Sequence, residues 1–132
     1  METYLGKFAP QLYAILRIVA GFCFAMHGSQ KLIGWPGGDE PKELFSMMGF
    51  AGIVELVGGI LIMIGLLGSI AAFISSGQMA VAFFMAHVPQ GWNPLLNGGE
   101  KALIYCFLFL FIAASGSGIW SVDGNKKSPA PV

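Results

Sequence analysis

Charge is scarce in this sequence. Acidic and basic residues make up 11% of its 132 residues, where a soluble domain carries about 25%. Between Leu44 and Gly99 the one formally charged side chain is Glu55. With 55% hydrophobic residues, too little polar surface remains to coat a globule in water, so the expected solvent is lipid. Seven basic residues balance seven acidic ones; nucleic acid, which needs a basic face to displace counterions, is therefore not an expected partner. Cysteine is equally sparse. Cys23 and Cys106 lie inside apolar runs and form no C-x-x-C pair, which excludes a thioredoxin-like motif and a zinc knuckle; both are expected to pack as small apolar residues. No cleaved leader is expected either. The first apolar run is too long for a signal-peptide core and no A-x-A site follows it, so it should be retained as a helix.

What the chain does have is apolar length. Four stretches, about 12–33, 50–68, 70–88 and 99–119, each approach the roughly 20 residues that cross a bilayer core. A backbone in hydrocarbon must satisfy its own hydrogen bonds, so each stretch should be helical. The predicted fold is all-α: a polytopic membrane protein, a single four-helix transmembrane bundle with a flexible polar tail over 120–132. The near-continuous apolar sequence from 50 to 88 holds two helices only if the chain reverses at Gly68-Ser69. Residues 34–49 and 89–98, rich in Gly and Pro, form the other two connections. Trp35, Trp92 and Trp120 fall where spans meet loops, as an interfacial aromatic belt requires. Four spans put both termini on one side and both longer loops on the other. Arg17 tips the basic count toward cytoplasmic termini in the inner membrane.

Ionisable groups within spans cost about 2.5–3.5 kcal/mol at the bilayer centre, so each should face protein and have a partner. Helices one and three run toward the loop side and helices two and four start from it. His27, Lys31, Glu55, His87 and Glu100 therefore share one membrane face. Arg17 lies about 15 Å deeper at 1.5 Å per residue, on nearly the same stripe as Lys31. Gln78, mid-span in helix three, needs a partner across the bundle, Arg17 or Glu55. Phe24, His27 and Gln30 are echoed by Phe84, His87 and Gln90, the pattern that a parallel repeat of two hairpins would give.

Three chemistries fit this set. One is a structural charge network, in which Arg17 pairs with Glu55 or snorkels and the histidines cap helix ends at the headgroup level. Another is a proton-coupled site for a quinone or small molecule, built on imidazole and carboxylate. The third is a metal or haem site, for which two histidines and two carboxylates are suitable donors; no local spacing motif joins the histidines, so no metal is assigned. Other features have plainer readings. The methionines pack, Gly21 and Gly58-Gly59 allow close helix approach, and Asn97-Gly98-Gly99-Glu100 turns into a helix whose first-turn carboxylate complements its dipole.

The segments His27-Gly28-Ser29-Gln30-Lys31-Leu32-Ile33-Gly34-Trp35, Glu55-Leu56-Val57-Gly58-Gly59, Ala86-His87, Leu96-Asn97-Gly98-Gly99-Glu100 and Trp120-Ser121-Val122-Asp123 resemble the DoxX family over about residues 10–123. The resemblance implies a four-helix bundle in the cytoplasmic membrane. It also implies links to sulfur oxidation, as a small subunit of thiosulfate:quinone oxidoreductase, to thiol and oxidative-stress complexes, or to quinone detoxification. Many relatives carry glutamate where this chain has Gln78, which puts a shared proton path through helix three in doubt.

The expected function is a redox-linked subunit that binds a quinone-like or small redox substrate at the loop-side end. His27 and His87 would serve as hydrogen-bonding or proton-transfer groups, Glu55 and Glu100 as their partners, and Arg17 and Lys31 as fixed charge. The rival readings are a non-catalytic anchor or assembly partner of a soluble or membrane oxidoreductase, and a small-solute transporter, which would need a homo-oligomer.

Overall fold

A computed structural model describes residues 4–37 and 40–126, with the side chains of 125 and 126 left aside. All regular structure among the described residues is helical. Helix α1 spans Ala9–Ile33, with Pro10 in its first turn, where the missing N–H costs nothing. It stops at Gly34, whose left-handed φ of 72° lets its N–H reach back to the Gln30 carbonyl at 3.0 Å. Helix α2 spans Met47–Ile64 and is capped by Ser46, whose hydroxyl accepts from the Gly49 N–H at 3.0 Å.

The reversal after α2 falls at Gly65-Leu67, three residues earlier than the expected Gly68-Ser69. Gly65 takes φ 71°, its N–H bonds Ile62, and the Leu66 N–H bonds Leu61, the paired pattern that ends helices. Gly68 is already the first residue of α3, Gly68–Ala82. Helix α3 continues through one π turn, Phe83–His87, and one 3-10 turn, Val88–Gln90. A short α4, Pro94–Asn97, follows its Asn93 cap. Helix α5 spans Glu100–Ser115 and α6 spans Val122–Lys126.

Among the described residues three segments are long and apolar enough to cross a membrane: Gly6–Ile33, Met47–Ile64 and Gly68–Gln90. Helix α5, with 16 residues, rises about 24 Å and is shorter than those three. The expected run to 119 is cut by Gly116 and Gly118, both at positive φ. Val19, Phe22, Val57, Phe73, Ile74, Phe107 and Phe111 are all exposed on helix surfaces. Large apolar side chains in such number facing outward are tolerable only in lipid. Trp35, Trp92 and Trp120 are exposed beside helix ends, where amphipathic rings sit at the headgroup level.

Helix α1 packs on α2, α2 on α3, and α3 on α5. The α1–α2 interface is lined by glycine. A Cβ on Gly21 would sit 2.7 Å from the Gly59 carbonyl oxygen, and one on Gly28 would sit 2.6 Å from that of Gly52. These backbones approach as closely as small residues permit. Between α1 and α5, aromatic rings replace glycine: Phe24 lies 4.7 Å from Phe109 and 5.7 Å from Tyr105 between centroids. The core joins these rings to Ile62, Met79, Phe83 and Ile112.

Trp120 to Asp123, counted with the polar tail in the sequence, are tied into this body. Ser121 is buried, and Asp123 accepts from the Leu67 and Gly68 N–H groups at 3.0 Å each, which caps α3. Residues 127–132 of the expected tail lie outside the described residues.

Candidate functional site

Two clusters of ionisable side chains occupy opposite ends of the bundle. At the terminus end, Arg17 is fully buried. Its guanidinium donates to backbone carbonyls alone: Nε to Ile62 at 3.0 Å, one terminal nitrogen to Ser117 and to Ile119 at 3.0 Å, and the other to Met63 at 3.4 Å and Trp120 at 2.7 Å. These carbonyls lie in the last turn of α2, where that of Ile62 is shared with the Gly65 N–H, and after α5, where intrahelical partners run out. Five donors in a rigid fork suit this task. The expected pairing of Arg17 with Glu55 or Gln78 is not formed; the guanidinium instead clasps two chain ends together. Asp123 stands next to this clasp and accepts from the Ser117 hydroxyl at 2.8 Å.

At the loop end, a pocket of about 250 Å³ gathers His27, Lys31, Glu55, His87, Lys101 and Tyr105. Each arrives from a different turn. His27 and Lys31 sit one helical turn apart near the end of α1, Glu55 projects from the third turn of α2, and His87 closes the π turn. Lys101 and Tyr105 share a face of α5 at i, i+4. Glu55 is 2% exposed and forms an ion pair with Lys31. The same carboxylate oxygen accepts from Gln78 Nε2 at 2.9 Å. Gln78 thus takes one of its two expected partners, and its own carbonyl oxygen is buried without a hydrogen bond.

The remaining groups are less committed. His87 Nδ1 lies 3.1 Å from the Asn97 carbonyl. A carbonyl can only accept, so Nδ1 carries the proton and Nε2 remains for another partner. Asn97, itself buried, holds this loop by donating to Gly91 at 2.8 Å and accepting from the Gly99 N–H at 2.7 Å. His27 meets Tyr105 edge-on with centroids 6.4 Å apart and makes no hydrogen bond among the described residues. Lys101 forms no ion pair among them. Glu100 is exposed and lies outside the pocket lining; it lines an adjoining groove between α1 and α5 instead.

The pocket's charged side chains are two lysines against one carboxylate. It therefore has uncommitted donors at Lys101 and His27 and an unassigned ring nitrogen, Nε2, at His87, while the Tyr105 hydroxyl pairs with the Cys23 thiol. That combination can receive a carbonyl oxygen or an anion, and can take a proton from a bound hydroxyl. Among the described residues no group of His, Cys, Asp and Glu is arranged to hold a metal ion. Lys101, Tyr105 and Asn97 were not among the site residues expected from the sequence. Helical phase held a signal for the first two, because Lys101 and Tyr105 fall on one face of α5 and Glu100 lies one position off it. The two-histidine echo also has a structural limit: both imidazoles reach the pocket, but Phe24 is buried where Phe84 faces outward, and Phe83 fills the core instead.

These features have relatives. The sequence model of the DoxX family matches residues 12–88, which carry His27, Lys31, Glu55 and His87. An uncharacterized protein of Haemophilus influenzae is 41% identical over 128 residues, covering 92% of this chain and 95% of its own. No solved structure matches the chain significantly. With more than half its length matched, and apolar helices that require lipid around them, the chain belongs to the DoxX family of membrane proteins.

Proposed function

We propose that this protein is a redox-linked membrane subunit whose loop-side pocket binds a quinone-like substrate. The observation that carries the reading is the excess of uncommitted donors there: half-buried His27 and exposed Lys101 form no hydrogen bond among the described residues and are available to a ligand. A quinone offers carbonyl oxygens that lysine or imidazole can donate to, and its reduced form offers hydroxyls that can bond to the unassigned His87 Nε2. The Lys31–Glu55–Gln78 network fixes one wall of the site and its local charge. Quinone chemistry would supply two-electron, two-proton transfer; the residues of this chain bind, orient and exchange protons.

In this reading the chain crosses the cytoplasmic membrane four times, α5 being completed by its flanking residues, and both termini are cytoplasmic. Titration of purified protein in lipid nanodiscs with a tritiated methyl-1,4-benzoquinone tests the site. Saturable binding that His27→Ala and His87→Ala each weaken supports it, and binding indifferent to both substitutions removes it.

A second reading, a non-catalytic anchor for a soluble oxidoreductase, draws on the loop side. Phe45, Trp92, Leu95 and Leu96 are all strongly exposed there, with Phe45 at 100%. Exposed aromatic and aliphatic anchors of this kind suit a protein interface as well as a headgroup layer. Stoichiometric recovery of a soluble partner from detergent extracts, lost on Phe45→Asp, favours that reading.

A further inference from the structure

The polar pocket adjoins a larger depression. A groove of about 650 Å³ runs between α1 and α5 and shares Gly98, Lys101 and Tyr105 with the pocket. Its volume lies in the range of about 300–1,000 Å³ typical of small-molecule sites. Two matched stripes wall it: Leu16, Val19 and Cys23 on α1, and Ile104 and Leu108 below Lys101 on α5. Spacings of three and four residues put each stripe on one helix face. The groove exists because Phe24, wedged against Phe109 and Tyr105, holds α1 and α5 apart, whereas glycine closes the α1–α2 interface. From Lys101 to Leu108 it descends about 10 Å toward the bilayer interior.

We infer that this groove takes the apolar chain of a membrane-dissolved ligand whose polar head occupies the pocket, so that the ligand enters sideways from lipid. The inference rests on the quinone-site reading and narrows it to a chain-bearing substrate. The order of chemistry along the path matches such an occupant: apolar from Leu16 to Ile104, then the Tyr105 ring, then the charged pair of neighbours Glu100 and Lys101 at the loop end, where Lys101 joins the pocket that holds the histidines. A helix of a second copy fits less well, because Pro94 and Leu95 close the loop end of the groove. A chain leaving lipid for a protein groove gains no hydrophobic transfer energy, since lipid is equally apolar. The groove therefore orients the ligand more than it tightens binding, and location is the quantity to measure.

A decyl-substituted benzoquinone with a diazirine at the chain end, added to protein in phosphatidylcholine nanodiscs and photolysed, reads that location by peptide mapping. The label is expected on residues 16–20 of α1 and 104–108 of α5, and should fall about tenfold under saturating methyl-1,4-benzoquinone, which competes for the head site alone. Leu108→Trp, which fills the deep end of the groove, should move the label out of it. Label scattered over the Val57 and Phe73 faces overturns the inference. So does groove label that ignores the head competitor, since it marks ordinary surrounding lipid. Absence of head binding, read separately with the tritiated probe, removes the pocket reading itself and this inference with it.

Discussion

The two ends of the bundle each bury one ionisable side chain in an apolar body, Arg17 and Glu55, and surround it differently. At the terminus end Arg17 spends every donor on backbone carbonyls of Ile62, Met63, Ser117, Ile119 and Trp120. At the loop end Lys31, Glu55 and Gln78 satisfy one another, while His27 and Lys101 keep donors unassigned and His87 keeps Nε2. A saturated cluster has no capacity for a ligand and serves the fold. A partly saturated one carries a cost in stability that a bound partner can offset. Burial and the count of remaining hydrogen-bonding positions together separate the two ends: the committed groups Arg17 and Glu55 are buried, and the uncommitted His27, His87 and Lys101 are half-buried or exposed.

Substitutions can break this contrast or sharpen it. The largest loss should follow Arg17→Met, which orphans several buried carbonyls at once. A stability loss of about 5 kcal/mol is expected, with failure to accumulate in membranes. Wild-type resistance to denaturing detergent in this variant would show that the clasp is ornamental. Next comes Lys31→Met, which strands the Glu55 carboxylate and should cost about 3 kcal/mol in the same unfolding assay. Adding Glu55→Gln should restore most of that, because the neutral amide needs no counter-charge; additive losses would mean that the two groups are not coupled.

Gly28→Ala should separate α1 from α2 and cost about 1–3 kcal/mol, read from the thermal midpoint in detergent. A neutral result would mean that the helices can part without penalty. Smallest in stability, and most telling, are His27→Ala and His87→Ala. Each should shift unfolding by about 0.5 kcal/mol yet weaken the quinone probe about tenfold. A loss of folding with no loss of binding would reverse the roles assigned to the two ends.

Much of this arrangement was legible in the sequence, for stated reasons. Three spans follow from uninterrupted apolar length, and the structure moves their ends by only a few residues, to Ala9–Ile33, Met47–Ile64 and Gly68–Gln90. Convergence of His27, Lys31, Glu55 and His87 follows from the alternating direction of the helices, which needs no packing detail. The partners of Arg17 could not be read, because backbone carbonyls carry no residue signature and Ser117 to Trp120 look like ordinary linker. The fourth helix was overextended because apolar residues around Gly116 and Gly118 mask two positive-φ positions. Lys101 was overlooked in favour of Glu100 because the acidic residue stood in a recognisable turn, and only phase about the helix axis tells the two apart.

The Arg17 clasp also bears on the order in which the protein can be made. The guanidinium enters the bilayer with the first span, but three of the carbonyls that receive it belong to Ser117, Ile119 and Trp120, which leave the ribosome 100 to 103 residues later. For most of synthesis the first helix therefore holds an unsolved charge, and the chain cannot lock until its last spans are threaded. Any product truncated before Ser117 would lack three of the five carbonyls that satisfy this guanidinium.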